Sequence, residues 1–182
     1  SRGLGDVYKR QDLIKTNLKN QIIEKYNLEV KFEKNLGYGL FPKPHFFVKN
    51  TTIIFNEKNI AKAEVTKIYI SIKNFFSSKD IKIKDLFFRQ TEFNIDSKDL
   101  LFFEGILNSN RSEHNLIFKN SILFFKNKDK DVVFFTEINN LNVFQNQDFN
   151  QQLNAKLNIF NIPFKLKIEN QLKNKKLFAN LN

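Results

Sequence analysis

Few side chains in this 182-residue chain combine a reactive type with a spacing that could use it. His45 and His114 stand far apart, and the chain has no cysteine, so neither histidine belongs to a metal set; both read as surface or loop residues. Gly37-Tyr38-Gly39 hints at a phosphate loop but is too short for a dinucleotide fingerprint. It also leads into Phe41-Pro42-Lys43-Pro44, where a helix N-terminus would be needed. Asp129 and Asp131 share the spacing that opens a calcium loop, yet the glycine and the closing acidic ligand are missing, which leaves a solvated hairpin turn. Asp96, Asp99 and Glu104 are scattered through strand ends, with no pair marked for proton transfer. Asn50-Thr51-Thr52 and Asn110-Arg111-Ser112 fit the glycosylation sequon, which so Asn-rich a chain generates by chance. Lack of cysteine also excludes a disulfide framework and a thiol nucleophile. The chain therefore reads as a binding or conduit protein, not an enzyme, with no cofactor or metal expected.

The elements around these residues follow from periodicity. Between Asp12 and Tyr26 the apolar residues Leu13, Ile14, Leu18, Ile22, Ile23 and Tyr26 recur at helix spacing, opposite Lys15, Lys19, Glu24 and Lys25. Asp12 is the expected N-cap and Asn27 the left-handed stop, so an amphipathic helix is predicted over 12–27. Its stripe covers one end of a sheet; the alternative is a basic helix lying on a membrane surface. From residue 28 the period falls to two, as in Leu28-Glu29-Val30-Lys31-Phe32, Ile68-Tyr69-Ile70-Ser71-Ile72, Phe93-Asn94-Ile95 and Phe164-Lys165-Leu166-Lys167-Ile168. Clusters such as Asn56-Glu57-Lys58-Asn59, Ser77-Ser78-Lys79-Asp80 and Asn127-Lys128-Asp129-Lys130-Asp131 turn the chain between them. One apolar face and one polar face mark antiparallel strands in succession over 28–182. The Phe pairs at 46–47, 75–76, 87–88, 102–103, 124–125 and 134–135 put one ring on each strand face, although Phe75-Phe76 also suits a short helical turn. A sheet of this length must close, fold over or protect its edges.

Composition bounds the partners. The formal charge is +11, but Lys, Asn, Ile and Phe dominate together, all with A/T-rich codons. Dispersed lysine from nucleotide bias explains the charge better than a polyanion site. Residues 1–11 (SRGLGDVYKRQ) differ from the rest and read as a translated adapter or assembly scar, set aside in reasoning about the fold. Without Arg2, Lys9, Arg10 and Asp6 the charge is +9. No Met occurs anywhere, and the chain is taken as a fragment.

One ordered series of motifs stands out. After the helix and the 28–32 strand come Gly37-Tyr38-Gly39-Leu40-Phe41-Pro42-Lys43-Pro44-His45-Phe46, then Val48-Lys49-Asn50-Thr51-Thr52-Ile53 and Ile60-Ala61-Lys62-Ala63-Glu64. The alternating 68–72 strand and Ile81-Lys82-Ile83-Lys84-Asp85-Leu86 follow. This series resembles the N-terminal domain of the AsmA family, with Gly39, Phe41, Pro42, Pro44, Ala61 and Ala63 at the motif positions. The likeness covers about residues 12–100, and Ile159-Phe160-Asn161-Ile162-Pro163-Phe164-Lys165-Leu166 is similar to a later family strand. Family members begin with a transmembrane helix before the amphipathic one; here residues 1–11 take that place, and the anchor is inferred to be lost.

The resemblance implies an inner-membrane-anchored protein of Gram-negative bacteria projecting into the periplasm, linked to outer-membrane biogenesis. It also implies a likeness to bridge-like lipid transfer proteins, whose curled antiparallel sheet forms a groove lined by apolar side chains. The expected fold is then mainly β with one N-terminal helix, a long meander curled into an open, taco-like groove. Phospholipid is the expected partner, with Ile68, Ile70, Ile72, Ile81, Ile83, Phe93 and Ile95 on the groove face. A closed β-sandwich or barrel core is the alternative architecture. The rival functions are a basic nucleic-acid module, disfavoured by the single strong helix and dispersed charge, and a scaffold binding a protein through a strand edge.

Overall fold

A long helix, α1 (Arg2–Tyr26), leads into β1 (Glu29–Phe32), β2 (Gly37–Gly39), β3 (His45–Phe55), β4 (Lys58–Ile70) and β5 (Ile83–Ile95) in the computed structural model. A short helix, α2 (Leu101–Leu107), precedes β6 (Leu116–Lys126), β7 (Val132–Gln145), β8 (Gln151–Ile159), β9 (Ile162–Gln171) and β10 (Lys176–Leu181). The structure describes residues 2–71, 81–109, 114–146, 150–171 and 176–181. Ile72, the Phe75-Phe76 pair, the Ser77–Asp80 turn and the Asn110 sequon lie outside them.

The ten strands among the described residues belong to one open sheet in the order β1-β3-β4-β5-β6-β7-β8-β9-β10, with β2 beside β1 on the same edge of β3. The mainly β expectation holds. Its turns fall where Asn-rich clusters predict: Asn56 and Glu57 adopt φ of 49° and 62° between β3 and β4, the left-handed pair of a two-residue hairpin. Asn127 organises the β6–β7 hairpin, its Oδ1 accepting the backbone N–H of Asp129 and Asp131, each at 2.9 Å.

Three expectations need correction. Helix α1 begins at Arg2, so Asp12 lies inside it and caps nothing; Thr16 Oγ1 donates to the Asp12 carbonyl as in any helix interior. Asn27, at φ 50°, does end the helix as expected. Second, the meander is not antiparallel throughout, because β5 and β6 pair in parallel, Leu86 beside Leu116 and Ile95 beside Phe125. A parallel neighbour demands a crossover. Third, that crossover contains α2, so Phe102-Phe103 is helical, with Phe102, Ile106 and Leu107 buried at spacings of four and five.

Both helices pack on one face of the sheet, the inner face. Leu18, Ile22 and Tyr26 of α1 are fully buried, while Leu13 and Ile23 from the predicted stripe remain exposed. Gln21 binds the β5 approach as another strand would, donating to the Ile81 carbonyl and accepting from Ile83 N–H. Phe88 stacks on Phe118 with centroids 4.9 Å apart, and Phe93 meets Phe118 edge-on at 5.2 Å.

Candidate functional site

The predicted lining residues lie on one face, and the helices cover it. Ile68, Ile70, Ile81, Ile83, Phe93 and Ile95 are all buried in a single core with the inward residues of α1 and α2. Ile72 lies outside the described residues. The inner face continues past them along β8 and β9, where Leu157, Leu166 and Ile168 are only partly buried, and reaches β10, where Leu181 is 59% exposed. Register keeps these on one side, since Ala155 pairs with Leu166, Leu166 with Leu181, and Leu153 with Ile168.

A feature not foreseen crosses this face. Strict alternation would bury every second residue, yet five strands shift phase by one residue at the same level. Val48 and Thr51 of β3 are buried, as are Ala63 and Thr66, Phe88 and Thr91, Phe118 and Ser121, and Ile138 and Leu141. The intervening residues Asn50, Glu64, Gln90, Asn120 and Asn139 lie opposite one another, each skipped by the register of its neighbours. Asn50, Gln90 and Asn120 adopt left-handed φ of 57°, 53° and 49°, which inserts the extra residue without losing the strand. The result is a seam running across the sheet, and it sends a row of hydroxyls inward. Thr66 Oγ1 donates to Thr51 Oγ1 at 2.8 Å, and Thr91 N–H donates to Ser121 Oγ at 3.1 Å. Thr91 Oγ1 is buried without a hydrogen-bond partner among the described residues. The signal was in the sequence, as Val-Lys-Asn-Thr (48–51), Phe-Arg-Gln-Thr (88–91) and Phe-Lys-Asn-Ser (118–121).

The ionisable candidates settle individually. His45 is buried in β3, not on the surface, with Nδ1 2.8 Å from the Lys43 carbonyl and its ring near Tyr69. The His45 ring also lies over Gly39, whose α-carbon has no room for a side chain, and Phe47 occupies the same position over Gly37. Those glycines serve packing. His114 accepts from Lys25 Nζ at 3.3 Å; burial lowers the Lys25 ammonium below its ordinary value. Asp96 and Asp99, expected to be scattered, converge on Lys58, at 2.9 Å and 2.5 Å. The hydrogen bond from Lys58 holds Asp96 below the ordinary carboxylate range, and the bond to Asp99 leads in raising Lys58. No group of three His, Cys, Asp or Glu able to hold a metal occurs among the described residues.

The remaining motif residues divide between tip and core. Phe41, next to a cis bond to Pro42, is exposed in the loop after β2, with Pro44 just before β3. Ala61 and Ala63 are buried on the inner face, and the register sets Ala61 beside Phe93. Among the described residues no helix is long and apolar enough to cross a membrane. No protein-family model matches the chain, and no curated protein matches it.

Proposed function

We propose that the chain is a non-enzymatic, AsmA-like domain that holds phospholipid in an apolar groove and contributes to outer-membrane biogenesis. In this reading it works on the periplasmic side of the inner membrane, held by an anchor outside this sequence. One observation carries the proposal: the inner face, lined mainly by apolar side chains, runs along the open sheet onto β8–β10, where among the described residues Leu157, Leu166 and Ile168 are only partly buried and Leu181 is exposed.

The reach of α2 supports a curled sheet. Phe102 contacts Phe55 of β3, ring centroids 5.8 Å apart, while Asn108 accepts from Asn170 of β9 at 2.5 Å. From residue 102 to 108 a helix advances about 9 Å. Six strand spacings separate β3 from β9, about 29 Å if the sheet were flat. A helix this short meets both strands when the sheet bends towards it. The predicted residues Ile68, Ile70, Ile81, Ile83, Phe93 and Ile95 then form the floor beneath the helices, and the stretch open to acyl chains is lined by Leu157, Leu166, Ile168 and Leu181. Each methylene buried there gains about 0.8 kcal/mol, so retention needs no polar specificity site.

Lipid extraction and mass spectrometry of the gently purified chain test this. Co-purifying phospholipid, lost in a Leu157→Asn/Leu166→Asn variant that keeps its far-UV spectrum, is the expected result. A lipid-free chain that also takes up none from vesicles of phosphatidylethanolamine and phosphatidylglycerol contradicts it.

A further inference from the structure

Where β5 ends, the sheet has a notch. Pairing of β5 with β4 stops at Ala61 and Phe93, and pairing with β6 stops at Ile95 and Phe125. The chain then departs at Asp96 towards α2, leaving the β3–β4 and β6–β7 hairpins to project on either side. Between them lies a cleft of about 650 Å³. Its lining includes the half-buried Phe125 ring, packed against the core of the inner face, beside the fully buried Ile95.

Its rim is cationic. Lys58, Lys98, Lys126, Lys128 and Lys130 line it against a single carboxylate, Asp96, for a formal lining charge of +4. Lys58 is held by Asp96 and Asp99, whereas the other four lysines have no ion-pair partner among the described residues. Asp129 and Asp131 belong to the same hairpin but not to the lining; their backbone N–H groups are tied to Asn127, and the Asp131 carboxylate accepts from Asn127 Nδ2 at 3.4 Å. Four ammonium groups around the half-buried Phe125 ring repel one another and leave the exposed part of that ring wet. A group that relieves both must be anionic at one end and aliphatic at the other.

We propose that this cleft binds the phosphate end of an anionic amphiphile, a phospholipid whose headgroup carries no compensating cation, with the first methylenes of its tail against Phe125. The inference rests on the lipid reading and adds to it a headgroup preference and an entry point. A choline or ethanolamine headgroup brings its own cation into a rim that already holds five, so zwitterionic lipids fit less well.

The test is calorimetric titration of the whole chain with dihexanoyl-phosphatidylglycerol below its micellar concentration. Dihexanoyl-phosphatidylcholine, glycerol 3-phosphate and inorganic phosphate serve as parallel arms. The variant is Lys126→Gln/Lys128→Gln/Lys130→Gln, which changes one half-buried and two exposed side chains, all outside the core. The native chain is expected to prefer the anionic lipid, and the variant to bind it about tenfold more weakly or worse, with a shallower salt dependence. Phosphate or glycerol phosphate binding as tightly as the lipid overturns the proposal, because the Phe125 ring then contributes nothing. Equal lipid affinity in the variant and the native chain overturns the cleft while leaving the wider lipid reading in place. Failure of either lipid to bind the native chain at all removes both.

Discussion

The hydroxyl seam makes a paired prediction of opposite sign from two residues in contact. Ser121 Oγ accepts the Thr91 backbone N–H at 3.1 Å and donates to the Lys119 carbonyl at 3.1 Å. Both Ser121 and Thr91 are buried, at 6% and 1% exposure, so water does not replace a lost partner. Ser121→Ala leaves the Thr91 N–H unpaired where the ladder has already skipped a rung, a cost of about 1–3 kcal/mol. Thr91→Val removes an oxygen that has no partner and replaces it with a methyl group of similar size in an apolar core. That change is expected to stabilise by about 1 kcal/mol, the lower end of the penalty for burying an unpaired hydroxyl. Urea unfolding followed by far-UV circular dichroism resolves the pair, since their separation of about 2 kcal/mol or more exceeds the extrapolation error of a matched set. Equal destabilisation by both substitutions would refute the reasoning, because it would mean that the Thr91 hydroxyl is bonded and the seam is assembled differently.

Further outcomes follow from the same structure. Phe118→Ala removes a ring stacked on Phe88 and edge-on to Phe93, and should cost about 3–5 kcal/mol in the same unfolding assay. Gln90→Gly should stabilise the chain by a few tenths to about 1 kcal/mol, because an exposed glutamine at φ 53° carries the left-handed penalty that glycine escapes; Gln90→Val should do the reverse. The Lys58 cluster sets a pH window. Asp96 is lowered on folding, so its contribution is complete above the ordinary value of 3.8 and is lost as pH falls through the lower folded value. Lys58 is raised, so its contribution is complete below 10.5 and is lost as pH rises through the higher folded value. Thermal melting across that range should show both flanks flattened in Lys58→Met relative to the native chain.

The legible parts of this fold were those fixed by local chemistry. Alternation located β1, β4, β5 and β9, and the αL tolerance of Asn placed the end of α1 and the β3–β4 turn. Doubled phenylalanines split across the sheet as expected at 46–47, 87–88 and 124–125, where Phe46 and Phe88 are buried and their neighbours half-buried. Phe102-Phe103 misled because a short apolar run has no distinguishable period, and its helix depends on packing against Phe55 and Phe93. The turn before it is held by contacts that reading strand by strand does not reveal: Asp99 Oδ2 accepts from Asp96 N–H and Asp96 Oδ1 from Lys98 N–H. Parallel pairing of β5 with β6 is a long-range choice with no local signature. The candidate lining residues lie in one buried core: residue types show which side is apolar, while only the path of α1 and α2 shows which part of that side is already occupied.

The central claim is that the partly buried inner face of β8–β10 holds acyl chains, and site-specific photocrosslinking addresses it directly. A benzophenone side chain at Leu166, partly buried on that face, should crosslink phospholipid in a Gram-negative host, detected as a radiolabelled band after growth on labelled phosphate. The same probe at Lys165, exposed on the opposite face, should not. Labelling at Leu166 alone is the predicted result. Absence of lipid at both positions, or equal labelling at both, would contradict the account.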